Sequence, residues 1–179
     1  MRILSIDPGS RVTGFGIIDI IDIQPKYVKS GCIRLIDKTL PMRLKNIFNA
    51  VTALINQYNP DEFAIEKVFL AKNASSALKL GEARGVAIAA AAMQTLCVYE
   101  YAAKRVKQSV VGYGNAEKNQ VQEMVKMILK LSLLPPIDAA DAFAAAAVDV
   151  FSTGDVLRPA RGRFLECERD GRPEPGGAF

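Results

Sequence analysis

Short apolar runs rich in β-branched residues open the chain: residues 2–7 (RILSID), 13–22 (TGFGIIDIID) and 26–36 (KYVKSGCIRLI), with breaks at Gly9 and around Gln24-Pro25. Runs of this length predict three strands joined by tight antiparallel connections. The period then lengthens. Thr39 offers an N-cap, Pro41 suits a first turn, and Leu44, Ile47, Phe48, Val51, Leu54 and Ile55 recur at helical spacing, which predicts an amphipathic helix to about Tyr58. After the turn Asn59-Pro60-Asp61, EFAIE reads as a short strand ending on Glu66. An alanine-rich helix follows from Asn73 through Gln94, with Gly81 and Gly85 smoothing one face for close packing. LCVYEYA predicts a fifth strand and Lys104 to Gln108 a short helical piece. VVGYGNAEK reads as a flexible link to a helix capped by Asn115. Pro135-Pro136 closes that region, and a last helix runs from about Asp138 to Phe151.

The resulting order, β-β-β-α-β-α-β-α-α, places the chain in the α/β class, with a five-stranded mixed sheet flanked by helices. Beyond Gly154 no apolar period survives and Gly, Pro and Arg dominate. Residues 1–153 are therefore expected to form one domain and 154–179 an unstructured tail. That tail carries five arginines and five acids, so the net charge of +4 resides in the folded body. With 50% hydrophobic but only 7% aromatic residues, the core must be built mainly from aliphatic side chains and alanine. A pI near 9.0 suits a polyanionic partner but does not by itself identify one. Three widely spaced cysteines predict neither a disulfide framework nor a zinc site. The chain opens directly on a strand pattern, without the basic leader and apolar core of a secretory signal, and a cytoplasmic protein is expected.

The chain has no histidine. That excludes Ser/His/Asp and Cys/His catalysis, His-ligated zinc and an imidazole general base. Carboxylates, lysines and metal ions are what remain. Asp7 and Glu66 each end an apolar strand, and if those strands are neighbours the two acids emerge side by side at one sheet edge. Asp138 and Asp141 are three apart and share a helix face. Each also has an ordinary reading: a turn cap for Asp7, a surface strand end for Glu66, and an N-cap with first-turn pair for the two aspartates. Taken together these ordinary readings weaken. Four carboxylates about 5 Å apart at an effective dielectric near 20 repel by roughly 3 kcal/mol per pair, so such a cluster needs protons or a cation. Oxygen-only ligands favour Mg²⁺ or Mn²⁺ over zinc, which leads to a two-metal phosphodiester hydrolase with Asp7 as a bridging ligand. The glycines after Asp7 would then let a phosphate backbone approach.

Four stretches in order, IDPGSRVTGFG, FAIEKVFLAKNASSALKLGEARG, EYAAKRVKQSVVGYGNAEKNQVQ and DAADAFA, closely resemble the RuvC family of Holliday junction resolvases, over roughly residues 1 to 153. The resemblance implies a ribonuclease H-like fold, a homodimer, and Mg²⁺-dependent nicking of two strands of like polarity in a four-way DNA junction. It implies two Mg²⁺ per subunit, with Mn²⁺ as a substitute. The family's acidic tetrad falls on Asp7, Glu66, Asp138 and Asp141, and this chain keeps aspartate where some relatives place histidine in the last motif. A branch-migration complex of the RuvA and RuvB type is implied as partner. The tail follows no pattern of the family.

Other residues add to this picture. Phe69, just past Glu66, matches the family position that stacks on junction bases; its ordinary reading is a core aromatic. Lys104, Arg105, Lys107 and Lys118 read either as a solvated charged face or, if placed at the carboxylate edge, as DNA phosphate contacts. The family assigns DNA or catalytic roles to the lysines matching Lys107 and Lys118. GYG lacks the third glycine and the strand context of a dinucleotide-binding loop. The smooth face of the helix from Asn73 to Gln94 is the expected dimer interface. Two rival functions are a ribonuclease H-fold ATPase, for which one domain is too short, and a non-catalytic nucleic-acid binding module, which the four intact acids oppose.

Overall fold

β1 (Arg2–Asp7) lies inside a mixed sheet because both of its faces are apolar: Ile3 packs into one core, Leu4 and Ile6 into the other. The computed structural model describes residues 1–22, 24–67, 74–152 and 162–163. In chain order the elements after β1 are β2 (Val12–Ile21), β3 (Gln24–Arg34), α1 (Leu40–Tyr58), β4 (Glu62–Lys67), α2 (Ala74–Met93) and β5 (Cys97–Ala102). α3 (Ala103–Val111), α4 (Lys118–Ile128), α5 (Ile137–Ser152) and β6 (Gly162–Arg163) complete them. Across the sheet the strands stand in the order β3-β2-β1-β4-β5-β6. β1, β4 and β5 are parallel, β2 and β3 run antiparallel beside β1, and β6 is antiparallel to β5. This is the ribonuclease H-like arrangement expected, with one strand more than the five read from the sequence. β6 is only two residues long and carries no apolar pattern by which to recognise it.

Helices cover both faces. α1 and α2 lie on one, where Ile47, Val51, Ile55, Ala83, Ala87, Ala90 and Ala91 meet Leu4, Ile6, Ile17, Phe63, Ile65 and Val98. α3, α4 and α5 cover the other, around Ile3, Ile18, Ala64 and Tyr101. α5 is buried from Ala139 to Val148 apart from the half-buried Asp141. Its alanines let the helix axis come close to the sheet, and Phe143 anchors it. Truncating a fully buried phenylalanine of this kind to alanine costs about 3–5 kcal/mol.

Several local readings need correction. Gln24-Pro25 begins β3 instead of forming the turn, which falls after Ile21 with Asp22 at φ 50; β3 is an outer strand, where proline's missing N–H is tolerated. The short piece at Lys104 is a full helix, α3. Asn115 is not the cap of α4: Glu117 is, through a capping box in which the Gln120 side chain accepts the Glu117 N–H. The link between α3 and α4 is held in place, not loose. Gly112 at φ 94 caps α3 by donating to the Gln108 carbonyl, Ala116 is buried, and the Lys107 ammonium donates to the Ala116 carbonyl at 2.7 Å. Cys32 is free but Cys97 is disulfide-bonded, where the spacing predicted no bridge. Among the described residues no helix is long and apolar enough to cross a membrane.

Candidate active site

The strand period decides where the acids point. In β1, Ile3 and Ser5 face α5 and so does Asp7; in β4, Ala64 and Glu66 face the same way. The parallel β1–β4 register pairs Ile6 with Ile65, so Asp7 and Glu66 follow side by side at the carboxyl ends of adjacent strands. Ligand sites of open α/β sheets lie at this edge. α5 crosses the same face and brings Asp138 in its first turn and Asp141 three residues later.

Asp7, Glu66 and Asp141 line a cavity of about 200 Å³, together with Lys107, Lys118, Ala103, Val106 and Val121. Asp138 is not among its described lining residues but acts on Asp7 through its charge. Burial raises the Asp7 carboxyl, and Glu66, Asp141 and Asp138 add to this against the opposing Lys118, so it is pushed up to about 8. Glu66 is raised too, first by burial and then by Asp141, with Lys118 and Lys107 opposing. The Lys118 ammonium sits 3.0 Å from Asp141 Oδ2. Burial would lower its pKa, but the bond to Asp141 and the neighbouring Asp7 and Asp138 outweigh that, and it is held above its ordinary value.

The pocket is thus built for more positive charge than its own side chains supply. Lys118 neutralises one acid, and the Lys107 ammonium is turned to the Ala116 carbonyl. The donors are all oxygen, the chemistry of a hard divalent ion. As placed, no three acidic, cysteine or histidine side chains among the described residues stand close enough to share one ion. The fit to a cation therefore lies in donor chemistry and unbalanced charge, while Lys118 holds Asp141.

The remaining predicted residues divide. Lys104 and Arg105 are exposed on α3 and do not line the cavity, and the Lys104 chain instead lies against Gly114. Phe69 lies outside the described residues. The glycines after Asp7 do not make room for phosphate. A Cβ on Gly9 would strike the Val12 carbonyl, one on Gly14 the Asp138 carbonyl, and one on Gly16 the Phe143 ring. Two of the three therefore admit α5. A glycine inside a strand is the sequence signal for such close approach, but it does not say what approaches.

Comparison with known proteins places this architecture. The family model "Crossover junction endodeoxyribonuclease RuvC" matches residues 3–149. The crossover junction endodeoxyribonuclease RuvC of Serratia proteamaculans is 58% identical over 162 residues, covering 90% of this chain and 94% of that protein. The structure resembles Thermus thermophilus RuvC, solved in complex with a Holliday junction substrate, with a TM-score of 0.79 and 29% identity over 86% of this chain and 94% of that one. The yeast mitochondrial Holliday junction resolvase Ydc2, 13% identical with a TM-score of 0.59 over 85% of this chain and 80% of that one, shares the fold. With a family model spanning most of its length and a relative 58% identical over 90% of it, this chain belongs to the RuvC family of crossover junction endodeoxyribonucleases.

Proposed function

We propose that this chain resolves four-way DNA junctions by metal-assisted hydrolysis of phosphodiester bonds, with Asp7, Glu66, Asp138 and Asp141 as the metal ligands. The observation that carries this is the convergence of Asp7, Glu66 and Asp141 on one cavity in which Asp7 is held at about 8. A pocket that disfavours its own carboxylates is poised for a divalent cation. When bound, Mg²⁺ or Mn²⁺, two per subunit, would supply Lewis-acid stabilisation and lower the pKa of water.

The chain's own residues position the substrate. Lys118, at the first turn of α4, presents its ammonium where a scissile phosphate would enter, and Lys107, in the cavity wall, would join it by leaving the Ala116 carbonyl; both stabilise charge that grows on the phosphate in the transition state. Water adds to phosphorus, the bond to the leaving sugar oxygen breaks, and that oxygen takes a proton. Lys104 and Arg105, exposed on α3, extend the basic surface towards flanking phosphates. Phe69 stacks on an unpaired base at the crossover.

A four-way junction has approximate two-fold symmetry. A C2 dimer offers two identical sites for symmetric nicks on strands of like polarity, and the small-residue face of α2 is its interface. The relative from T. thermophilus was solved with a Holliday junction substrate, which supports the same substrate here. The chain acts in the cytoplasm beside a branch-migration complex of the RuvA and RuvB type, with residues 1–153 as the nuclease domain and 154–179 as a tail that is not wholly unstructured, since its Gly162–Arg163 adds β6 to the sheet of that domain.

The test is incubation with a synthetic four-way junction and a matched linear duplex, with Mg²⁺ or EDTA. Paired symmetric nicks confined to the junction and abolished by EDTA are expected. Equal cutting of the duplex overturns junction selectivity, and cutting in EDTA overturns the metal.

A further inference from the structure

Asp7, Gly14 and Cys32 stand in register across β1, β2 and β3. The row therefore carries a carboxylate, a gap and a sulfur, and the first turn of α5 lies over it. At the gap the approach is extreme: a Cβ on Gly14 would lie 2.0 Å from the Asp138 carbonyl oxygen and 2.9 Å from the Asp138 Cβ. On the other side, Cys32 lies within electrostatic reach of the same turn: burial first and Asp138 next raise its thiol, and the Ala139 backbone opposes them. Gly14 provides the depth of the seat, and Cys32 is the neighbouring position of the row beneath the same turn of α5.

We propose that Gly14 is a positioning residue for the metal site: by lacking a side chain it lets the start of α5 settle onto β2, which sets how far Asp138 stands from Asp7. This rests on the reading of the acids as metal ligands. The contact is with helix backbone, not with the end of a flexible side chain. An alanine at Gly14 must therefore separate β2 from Asp138 by about 1.4 Å to reach the 3.4 Å floor of ordinary contact. Ligand distances in metal sites tolerate about 0.2 Å, and a displacement of about 1 Å in a catalytic constellation can cost roughly 100-fold.

Gly16 supplies the contrast. It stands on the same face of β2, and a Cβ there would lie 2.7 Å from the Phe143 ring, so it meets a side chain of α5 and not the helix backbone at Asp138. The test is Mn²⁺ binding to the full-length, DNA-free protein, followed by electron paramagnetic resonance of the free ion, with thermal unfolding alongside. Gly14→Ala is expected to weaken Mn²⁺ binding by about 10-fold or more. Gly16→Ala should lower Tm while leaving Mn²⁺ affinity within about 3-fold.

Equal weakening in both variants would reduce Gly14 to a general packing role, and unchanged affinity in Gly14→Ala would remove the idea outright. Should Gly14→Ala not fold, Cys32→Ala decides, because it thins the neighbouring position of the row without adding an atom. A fall in Mn²⁺ affinity then supports the seat, and an unchanged affinity overturns it. A wild type that holds no Mn²⁺ removes the metal reading and this inference with it.

Discussion

Replacing Asp7 by asparagine should stabilise the metal-free protein at neutral pH while abolishing nicking. In the unfolded chain the Asp7 carboxyl titrates near 3.8, and in the fold near 8. Between those values the folded state binds a proton that the unfolded state has released. The contribution of Asp7 to stability is therefore fully present below about pH 4 and is lost as pH rises towards 8. At about 1.4 kcal/mol per unit, the roughly three units between 3.8 and pH 7 amount to about 4 kcal/mol. Water entry and relaxation of the pocket reduce the effect, so a gain of about 2 to 4 kcal/mol is expected for Asp7→Asn at pH 7. For a domain of this size that is roughly 5 to 15 °C in Tm.

The assay is thermal unfolding of both proteins in EDTA from pH 4.5 to 8, repeated in Mg²⁺. The wild type should lose stability with rising pH more steeply than the variant, with the two curves meeting near the acid end. Glu66, raised by the same burial, leaves a residual slope in both. Mg²⁺ should restore the wild type and change the variant little. Parallel pH profiles, or a variant less stable than wild type at pH 7, would refute the account of the pocket.

Lys118→Met removes the ammonium that pairs with Asp141 at 3.0 Å. It should tighten Mn²⁺ binding to DNA-free protein by about 3-fold or more, yet slow junction nicking by on the order of 100-fold because the phosphate loses its cation. Spin-resonance titration and a nicking gel report the two effects separately. Arg84→Ala strands the Glu100 carboxylate, whose side chain is only 7% exposed. Chemical denaturation should show a loss of about 3–5 kcal/mol. Gly112→Ala places a side chain at φ 94, where nothing crowds it but the backbone disfavours it. The expected cost is about 1–2 kcal/mol by the same measurement.

The legible part of the fold was the part written in period. β1, β2, α1 and β4 appear close to where apolar alternation places them, because each buries a face that composition alone can mark. The edge shared by Asp7 and Glu66 was legible only conditionally. Both acids end strands, but their adjacency is a fact of the parallel β1–β4 pairing, which no local pattern encodes. Glu117 escaped notice as a cap because glutamate is a poor N-cap by preference, and here it acts through reciprocal bonding with Gln120. β6 is too short to carry a pattern. Gly14 and Gly16 were visible as glycines, but the partner filling each gap lies far along the chain on α5.

The acids come from near the start of the chain, from its middle and from its last long helix. A ribosome therefore makes Asp7 early and Asp141 late, and on the proposed role of these acids the nascent protein carries an incomplete set of ligands until α5 has emerged and packed onto the sheet. Cutting activity cannot precede completion of the domain. By the same proposed role, a nuclease arranged in this order is harmless to nearby DNA throughout its own synthesis, and a truncated product lacking α5 is expected to stay inert however well its strands assemble.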